Sequence, residues 1–432
     1  MATIEYLKEA DDASIEIDQE VTDAVQDIVG AVRDRGDDAV YEFTERFDGI
    51  EVDDVRIGDA EIDAAREELT DIEKETIDNT IANVRAFHEQ QREHISDFET
   101  EFEEGVRLGQ RIVPVESAGT YVPGGRHPLV AAPAMTIVPA DVVGVERIVT
   151  CAPPQDDGSI QPAQLYAMDQ AGADEIYSVG GAQAIAAMAY GTETVPSVAK
   201  ITGPGNVFTT EAKRQVFGHV GIDFLAGPSE VLILTDETAD PDLVATDLLA
   251  QAEHDPNSRP ILVSTDRDIA EATVGALSEQ LPNLETEDVA RECWTENGEV
   301  VLAETMADAI EVANEYAIEH LQVMIDEPRS IVDELTNYGS LFLGAHSPVV
   351  FGDKAVGTNH SLPTLEVARY SGGIWAGTYC KTLTHQEATE AGGARIAPWA
   401  AKICELEGTH AHRLSAEARL RDDISPEYGP GK

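Results

Sequence analysis

The stretch EVLILTDETADPDLVATDLLAQAEHDPNSRPILVSTD (230–266) decides the architecture. It opens on one short apolar run, EVLILTD (230–236), and closes on another, RPILVSTD (259–266), with a segment of helical spacing and length between them. Strands that alternate with helices in this way pair in parallel, with the helix as crossover. Downstream the rhythm continues through EVVLAET (299–305), HLQVMID (320–326) and GSLFLG (339–344). Upstream a separate series runs ERIVTCAPP (146–154), DEIYSVGG (174–181) and AKITGPG (199–205). Before both, from about Asp18 to Glu93, apolar residues recur every three or four positions, as in Val21, Val25, Ile28 and Val32 and again in Ile77, Ile81, Val84 and Phe87. Beyond about Gly372 the strand rhythm ceases, and a Gly-rich, then helical, His-bearing tail runs to Lys432. The expected class is α/β: two Rossmann-like parallel-sheet domains, a helical N-terminal region and a small C-terminal tail domain. The boundaries read as an arm over 1–19, a first α/β domain over 20–118 plus 231–372, a second over 119–230 and the tail over 373–432.

At 432 residues, with 42% hydrophobic and 26% charged residues, the chain has the composition of a folded multi-domain protein. No run of about 18 apolar residues exists to span a bilayer, because Pro133, Pro139 and Asp141 interrupt the most apolar stretch, 129–149. The opening MATIEYLKEADDASIEI lacks a basic region followed by an apolar one, so no secretory signal is expected and the cytoplasm is the expected location. Asp and Glu number 82 against 29 Lys and Arg, a net charge of -53 spread along the whole length. That balance excludes nucleic-acid binding through a basic surface. It suits the interior of a salt-in halophile, where molar salt screens the self-repulsion. Cys151, Cys293, Cys380 and Cys404 are far apart with no C-x-x-C pair, so neither a zinc ribbon nor a thioredoxin-like motif is present.

Several segments could carry chemistry. In ATDLLAQAEHDPNS (245–258), Gln251 and His254 lie three apart on one helical face and could share a metal, though such a pair more commonly marks a polar surface. Glu319 and His320 stand where a helical pattern ends and a strand begins. Asp353 and His360 fall in GAHSPVVFGDKAVGTNHSLPT (344–364), a long loop of the kind that is usually functional or disordered. ELEGTHAH (405–412) brings together Glu407, His410 and His412, a set compatible with metal binding and more commonly solvated. GPGN (203–206) follows a strand and precedes a helix, where a dinucleotide phosphate could rest on backbone N–H groups. Phe208 replaces the third glycine of the usual fingerprint. YVPGG (121–125) and VGGAQA (179–184) occupy corresponding strand ends and read first as tight turns.

Taken in order, AGTYVPGG, GGAQAIAAMAYGT, ITGPGN, LAGPSEVLIL, LLAQAEHDPNS, EYAIEHLQ, GDKAVGTNHSLPT and EGTHAH resemble the histidinol dehydrogenase family from about residue 20 to 415. The resemblance implies one zinc per subunit on Gln251, His254, Asp353 and His412. It implies substrate contacts from Ser229, Gln251, His254, His320, Asp353, His360, Glu407 and His412, and NAD near Tyr121, Gln183 and Asn206, on the 119–230 domain. The activity implied is the last step of histidine biosynthesis, a four-electron oxidation of L-histidinol to L-histidine with two NAD through bound L-histidinaldehyde. In it His320 is the general base and Glu319 activates water for the aldehyde step. Also implied is a domain-exchanged homodimer whose tail completes the neighbour's site. One departure is local: in EGTHAH, Thr409 and His410 replace an apolar and a small residue, and His410 rivals His412 for zinc, although only His412 keeps the five-residue step from Glu407. Two other readings remain: a paralogous zinc and NAD dehydrogenase of another small diol or amino alcohol, and a non-redox zinc-binding protein.

Overall fold

The apolar runs read above fold as strands in a computed structural model that describes residues 2–10, 18–51, 54–124 and 128–420. Strand β1 (Ile4–Lys8) precedes four helices, α1 (Gln19–Arg35), α2 (Asp37–Asp48), α3 (Asp59–Glu68) and α4 (Asp71–Glu93). Strands β2 (Phe98–Glu103), β3 (Val106–Pro114) and β4 (Ser117–Tyr121) follow. The first alternating series is α5 (Ala132–Val143), β5 (Arg147–Ala152), α6 (Pro162–Ala171), β6 (Glu175–Ser178), α7 (Gly181–Tyr190), β7 (Lys200–Thr202), α8 (Val207–Val216) and β8 (Gly221–Ile222). The second is β9 (Glu230–Thr235), α9 (Pro241–Ala252), β10 (Arg259–Ser264), α10 (Arg267–Gln280), α11 (Glu287–Asn297), β11 (Glu299–Ala303), α12 (Met306–Tyr316), β12 (Ile318–Met324), β13 (Tyr338–Leu343) and the short α13 (Val349–Lys354). The described chain closes on β14 (Cys380–Ala388), α14 (Glu390–Glu407) and α15 (His410–Glu417).

Two doubly wound sheets result, as the alternation predicts. One is ordered β1-β11-β10-β9-β12-β13, parallel except for β1, which runs antiparallel to β11. The other, β6-β5-β4-β7-β8, is parallel throughout. The period of two in β9 divides the first core into layers. Val231 and Ile233 join Leu248 and Leu249 of α9 on one face, while Leu232 and Leu234 join Ile310 and Ala313 of α12 on the other. Both faces are buried, so the strand reads as a continuous apolar run.

The helical region was expected with the first α/β domain, yet Val25, Ile28, Val40 and Phe43 share a core with Ile185 and Met188 of α7, on the five-stranded sheet. Their spacing reveals an apolar stripe but not its partner. Contacts divide the chain into one unit over Met1–Arg92 and Val115–Tyr379, and a second over Glu93–Pro114 and Cys380–Lys432. The second unit thus takes in the hairpin 98–114, and residues 373–379, read as the start of the tail, lie in the first. Within the second unit β14 pairs antiparallel with β3, and β3 with β2, a three-stranded sheet whose last strand lies in the region where no strand rhythm is legible. The reason is exposure: along CKTLTHQEA all but the first residue are exposed, so no buried face imposes an alternation. Gly125 of the YVPGG segment and residues 421–432 of the tail lie outside the described residues. No helix among the described residues is long and apolar enough to cross a membrane.

Candidate active site

Chain direction brings the chemistry to the amino-terminal edge of the six-stranded sheet. Helix α12 stops at Tyr316, Ala317 turns the chain with φ 47, and β12 begins at once, so Glu319 and His320 enter the sheet at its rim, both buried. The main chain of Glu230, first residue of the adjacent β9, holds both. Its N–H donates to Glu319 Oε2 at 2.8 Å, and its carbonyl accepts from His320 Nδ1 at 2.9 Å. A carbonyl can only accept, so Nδ1 carries the proton and Nε2 is left facing Asp353 Oδ1, 3.3 Å away. Glu319 Oε2 is also 3.4 Å from Nδ1. Burial alone would pull the His320 pKa down; the Glu319 carboxylate and the contact with Asp353 outweigh it and push it well above the ordinary value. Burial would likewise raise Asp353, but the contact with and charge of His320 hold its carboxyl well below the usual range.

His360 is built the same way. Its Nδ1 donates to the Asp353 carbonyl at 2.7 Å, which leaves a buried Nε2 without a partner, and burial lowers its pKa toward the neutral ring. Ser229, half-buried, precedes Glu230, and its carbonyl accepts from the Arg259 N–H at 3.0 Å.

Gln251 and His254 reach the same edge because α9 runs back along β9 from its carboxyl end. The expected helix over 245–258 ends at Ala252, and His254 lies in the following turn. Gln251 is buried with an amide nitrogen that has no partner, and exposed His254 donates Nδ1–H to the Ala250 carbonyl at 2.8 Å, leaving Nε2 free. One turn before Gln251, Asp247 accepts from Gln322 Nε2 at 2.8 Å, a bond that ties α9 to the face of β12 carrying His320. The Gln251 side-chain oxygen, the His254 imidazole oriented through its other nitrogen and the Asp353 carboxylate are donor types zinc takes, so these three residues fit that ion. Glu407, His410 and His412 are exposed on α14 and α15 of the second unit. Among the described residues, no three His, Cys, Asp or Glu side chains of the chain form a metal-holding group.

Sequence reasoning missed what lies beneath this edge. Glu230, Arg259 and Glu299 open three neighbouring strands, and Arg259 bridges the two carboxylates at 3.3 and 3.2 Å while Tyr316 donates to Glu299 at 2.6 Å. Burial, offset in part by Arg259, pushes the Glu230 carboxyl up to about 7. The available signal was the charged residue at the head of EVLIL, RPILV and EVVLA, which a parallel sheet must align.

The remaining residues lie at the carboxyl edge of the five-stranded sheet, at the switch between β4 and β7 where ligands of open α/β sheets sit. Tyr121, at the end of β4, accepts the Gly181 N–H at its hydroxyl, 3.1 Å, and Gln183 is buried in the first turn of α7. Asn206 caps α8, with Oδ1 accepting from Phe208 and Thr209 N–H at 3.0 and 3.1 Å. GPGN is therefore a strand-to-helix turn whose first free amides are partly engaged by its own asparagine.

A family model described as histidinol dehydrogenase matches residues 12–420. The chain is 45% identical to a histidinol dehydrogenase of Methanothermobacter thermautotrophicus, over 95% of this chain and 96% of that one. It is equally identical, 45%, to a histidinol dehydrogenase homolog of Shouchella clausii, over 93% of this chain and 94% of that one. Among solved structures, a histidinol dehydrogenase of Elizabethkingia anophelis superposes with a TM-score of 0.89 at 35% identity, covering 96% of this chain and 93% of that one.

Proposed function

This chain belongs to the histidinol dehydrogenase family, and we propose that it oxidises L-histidinol to L-histidine in two NAD-linked hydride transfers, with the aldehyde retained between them. The observation that carries this reading is the pair Glu319 and His320, buried side by side at a sheet edge that also receives Gln251, His254 and Asp353. In the first step His320 Nε2 accepts the alcohol proton, and NAD, when bound, would take up the hydride that leaves the same carbon to give the aldehyde. Glu319 then takes a proton from water adding to the aldehyde, and His320, its first proton released, takes the proton that leaves the hydrate as its carbon gives up the second hydride and becomes the carboxylate. The hydrogen bond from Nδ1 to the Glu230 carbonyl keeps the proton on that nitrogen, and zinc holding the charge of Asp353 would relieve the pull that raises the His320 pKa, leaving Nε2 free to accept. When bound on Gln251, His254, Asp353 and the tail's His412, zinc would supply a fixed charge that balances Asp353 and orients the substrate's imidazole and amine. Ser229, His360 and Glu407 would complete the substrate's surroundings, and Tyr121, Gln183 and Asn206 would receive NAD.

The second unit presents Trp399, Ile403 and Leu406 on one exposed face of α14, which suits a homodimer in which each tail completes the partner's site. The charge of -53 suits a cytoplasm of molar salt.

The test is NADH formation on adding histidinol, with and without a chelator, beside small amino alcohols and a sulfonated propanediol, since one relative of equal identity is named only a homolog. NADH from histidinol, lost on chelation and restored by zinc, is expected. Turnover confined to another alcohol would replace the substrate, and zinc binding without NADH would make the protein non-redox.

A further inference from the structure

We propose that Lys213 and Asp223 are positioning residues for the dinucleotide, a buried ion pair that sets the 203–206 loop and with it the cofactor subsite. The inference rests on the NAD reading of Tyr121, Gln183 and Asn206. Lys213 lies in α8 and Asp223 directly follows β8, and their side chains are only 4% and 1% exposed. Lys213 Nζ is 2.6 Å from Asp223 Oδ1 and donates to the Gly203 carbonyl at 3.0 Å, while Asp223 Oδ2 accepts the Gly203 N–H at 2.8 Å. Both main-chain polar groups of Gly203 are thus held by one ion pair, whose two charges also satisfy each other.

A pair this deeply buried is poorly explained by stability, because well-packed apolar side chains of similar volume commonly do as well or better. What the pair adds is direction. It fixes the orientation of the Gly203 N–H and C=O in a backbone conformation, φ +119, that side-chain-bearing residues rarely adopt. A Cβ on Gly203 would stand 2.2 Å from the Tyr121 carbonyl oxygen, so the clamped loop is pressed against the carboxyl end of β4. Three residues on, Asn206 caps α8, and the Thr209 hydroxyl donates back to the Asn206 carbonyl at 2.8 Å. Tyr121 in turn receives the Gly181 N–H beside Gln183. The ion pair therefore holds both peptide groups of Gly203, at the start of the turn that leads from β7 past Tyr121 to Asn206, at the switch point of the sheet. Neither residue lies in a motif that the sequence alone singles out.

The test measures NAD affinity by titration calorimetry, together with separate KM values for NAD and histidinol, in the full-length zinc-loaded protein. K213M and the near-isosteric D223N are expected to weaken NAD binding about 10- to 100-fold, the scale of losing a charge-assisted hydrogen bond, and to raise the NAD KM alike. Zinc content and the histidinol KM should stay at their wild-type values. K213R, which keeps a donor at the Gly203 carbonyl, should recover most of the loss. A merely structural pair would lower the melting temperature without this split. Should K213M fail to fold, D223N alone decides between the two roles. The proposal falls if D223N binds NAD like the wild type, or if the histidinol KM rises in step with the NAD KM. An N206A control separates the premise: wild-type NAD affinity in N206A would overturn the cofactor subsite itself and the clamp with it.

Discussion

Glu230 shows how one residue can act through its backbone. Its N–H and carbonyl hold Glu319 and His320, so the proposed base and the proposed water-activating group share one support. Their roles can still be divided by half-reaction. Glu319→Gln should keep alcohol oxidation and slow the aldehyde step, whereas His320→Ala should impair both, each by about 10²- to 10⁴-fold, with metal content intact. Histidinaldehyde supplied directly is the check, and full-speed oxidation by the Glu319 variant would remove that residue from water activation. Their place at a helix-to-strand junction, joined to the family resemblance, made Glu319 and His320 candidates in the sequence. Their common support was not legible, because no side-chain pattern reports which distant main-chain group a catalytic residue will meet.

At the scale of elements, the heads of β9, β10 and β11 set two carboxylates around one guanidinium. Arg259→Met would leave Glu230 and Glu299 buried without a counter-charge, and breaking such a pair costs about 3–5 kcal/mol, read as a lower unfolding midpoint. The pH dependence has a definite sign. The folded Glu230 carboxyl, at about 7, lies above its ordinary 4.5, so the folded state holds the proton more tightly. Its contribution is fully present below 4.5 and is lost as pH rises through 7. Glu230→Gln, which cannot ionise, should therefore remove that part of the decline. Denaturant unfolding of both proteins on either side of pH 7 measures it, and parallel pH profiles would contradict it. The same scale explains what was readable: β9 and β10 are buried on both faces and stand out, whereas β2 throughout and β14 beyond its first residue are exposed and do not.

For the whole molecule, charge and assembly carry the predictions. The repulsion among 53 excess negative charges is screened as the Debye length falls from about 10 Å at 0.1 M salt to about 3 Å at 1 M. The melting temperature should accordingly rise in molar KCl, and a salt-independent value would reject the halophilic setting. The proposed exchange makes a sharper demand. Gln251→Ala and His412→Ala homodimers should each be nearly inactive, since a missing ligand leaves zinc weakly held. Refolded together, they would form heterodimers in which one site collects both lesions and the other neither, with activity returning to about half of wild type per heterodimer. Heterodimers without activity would return His412 to its own chain or remove it from the ligand set.

The order and period of the strands, the helical N-terminal stripe and the ordered motifs are all written locally, because burial on one or both faces imposes a spacing that neighbouring residues record. Those local signals suffice for the α/β class, and the ordered motifs, through the family they resemble, for the candidates Gln251, His254, Glu319, His320 and Asp353. Tertiary structure alone decided that α1 and α2 pack on the five-stranded sheet, that α9 returns Gln251 to the rim where His320 enters, and that Glu230 and Gly203 are held from far along the chain. Periodicity records how much water each position meets. It carries no information on which remote backbone group will stand opposite, since that depends on sheet order and register, and these are settled only when the whole chain packs.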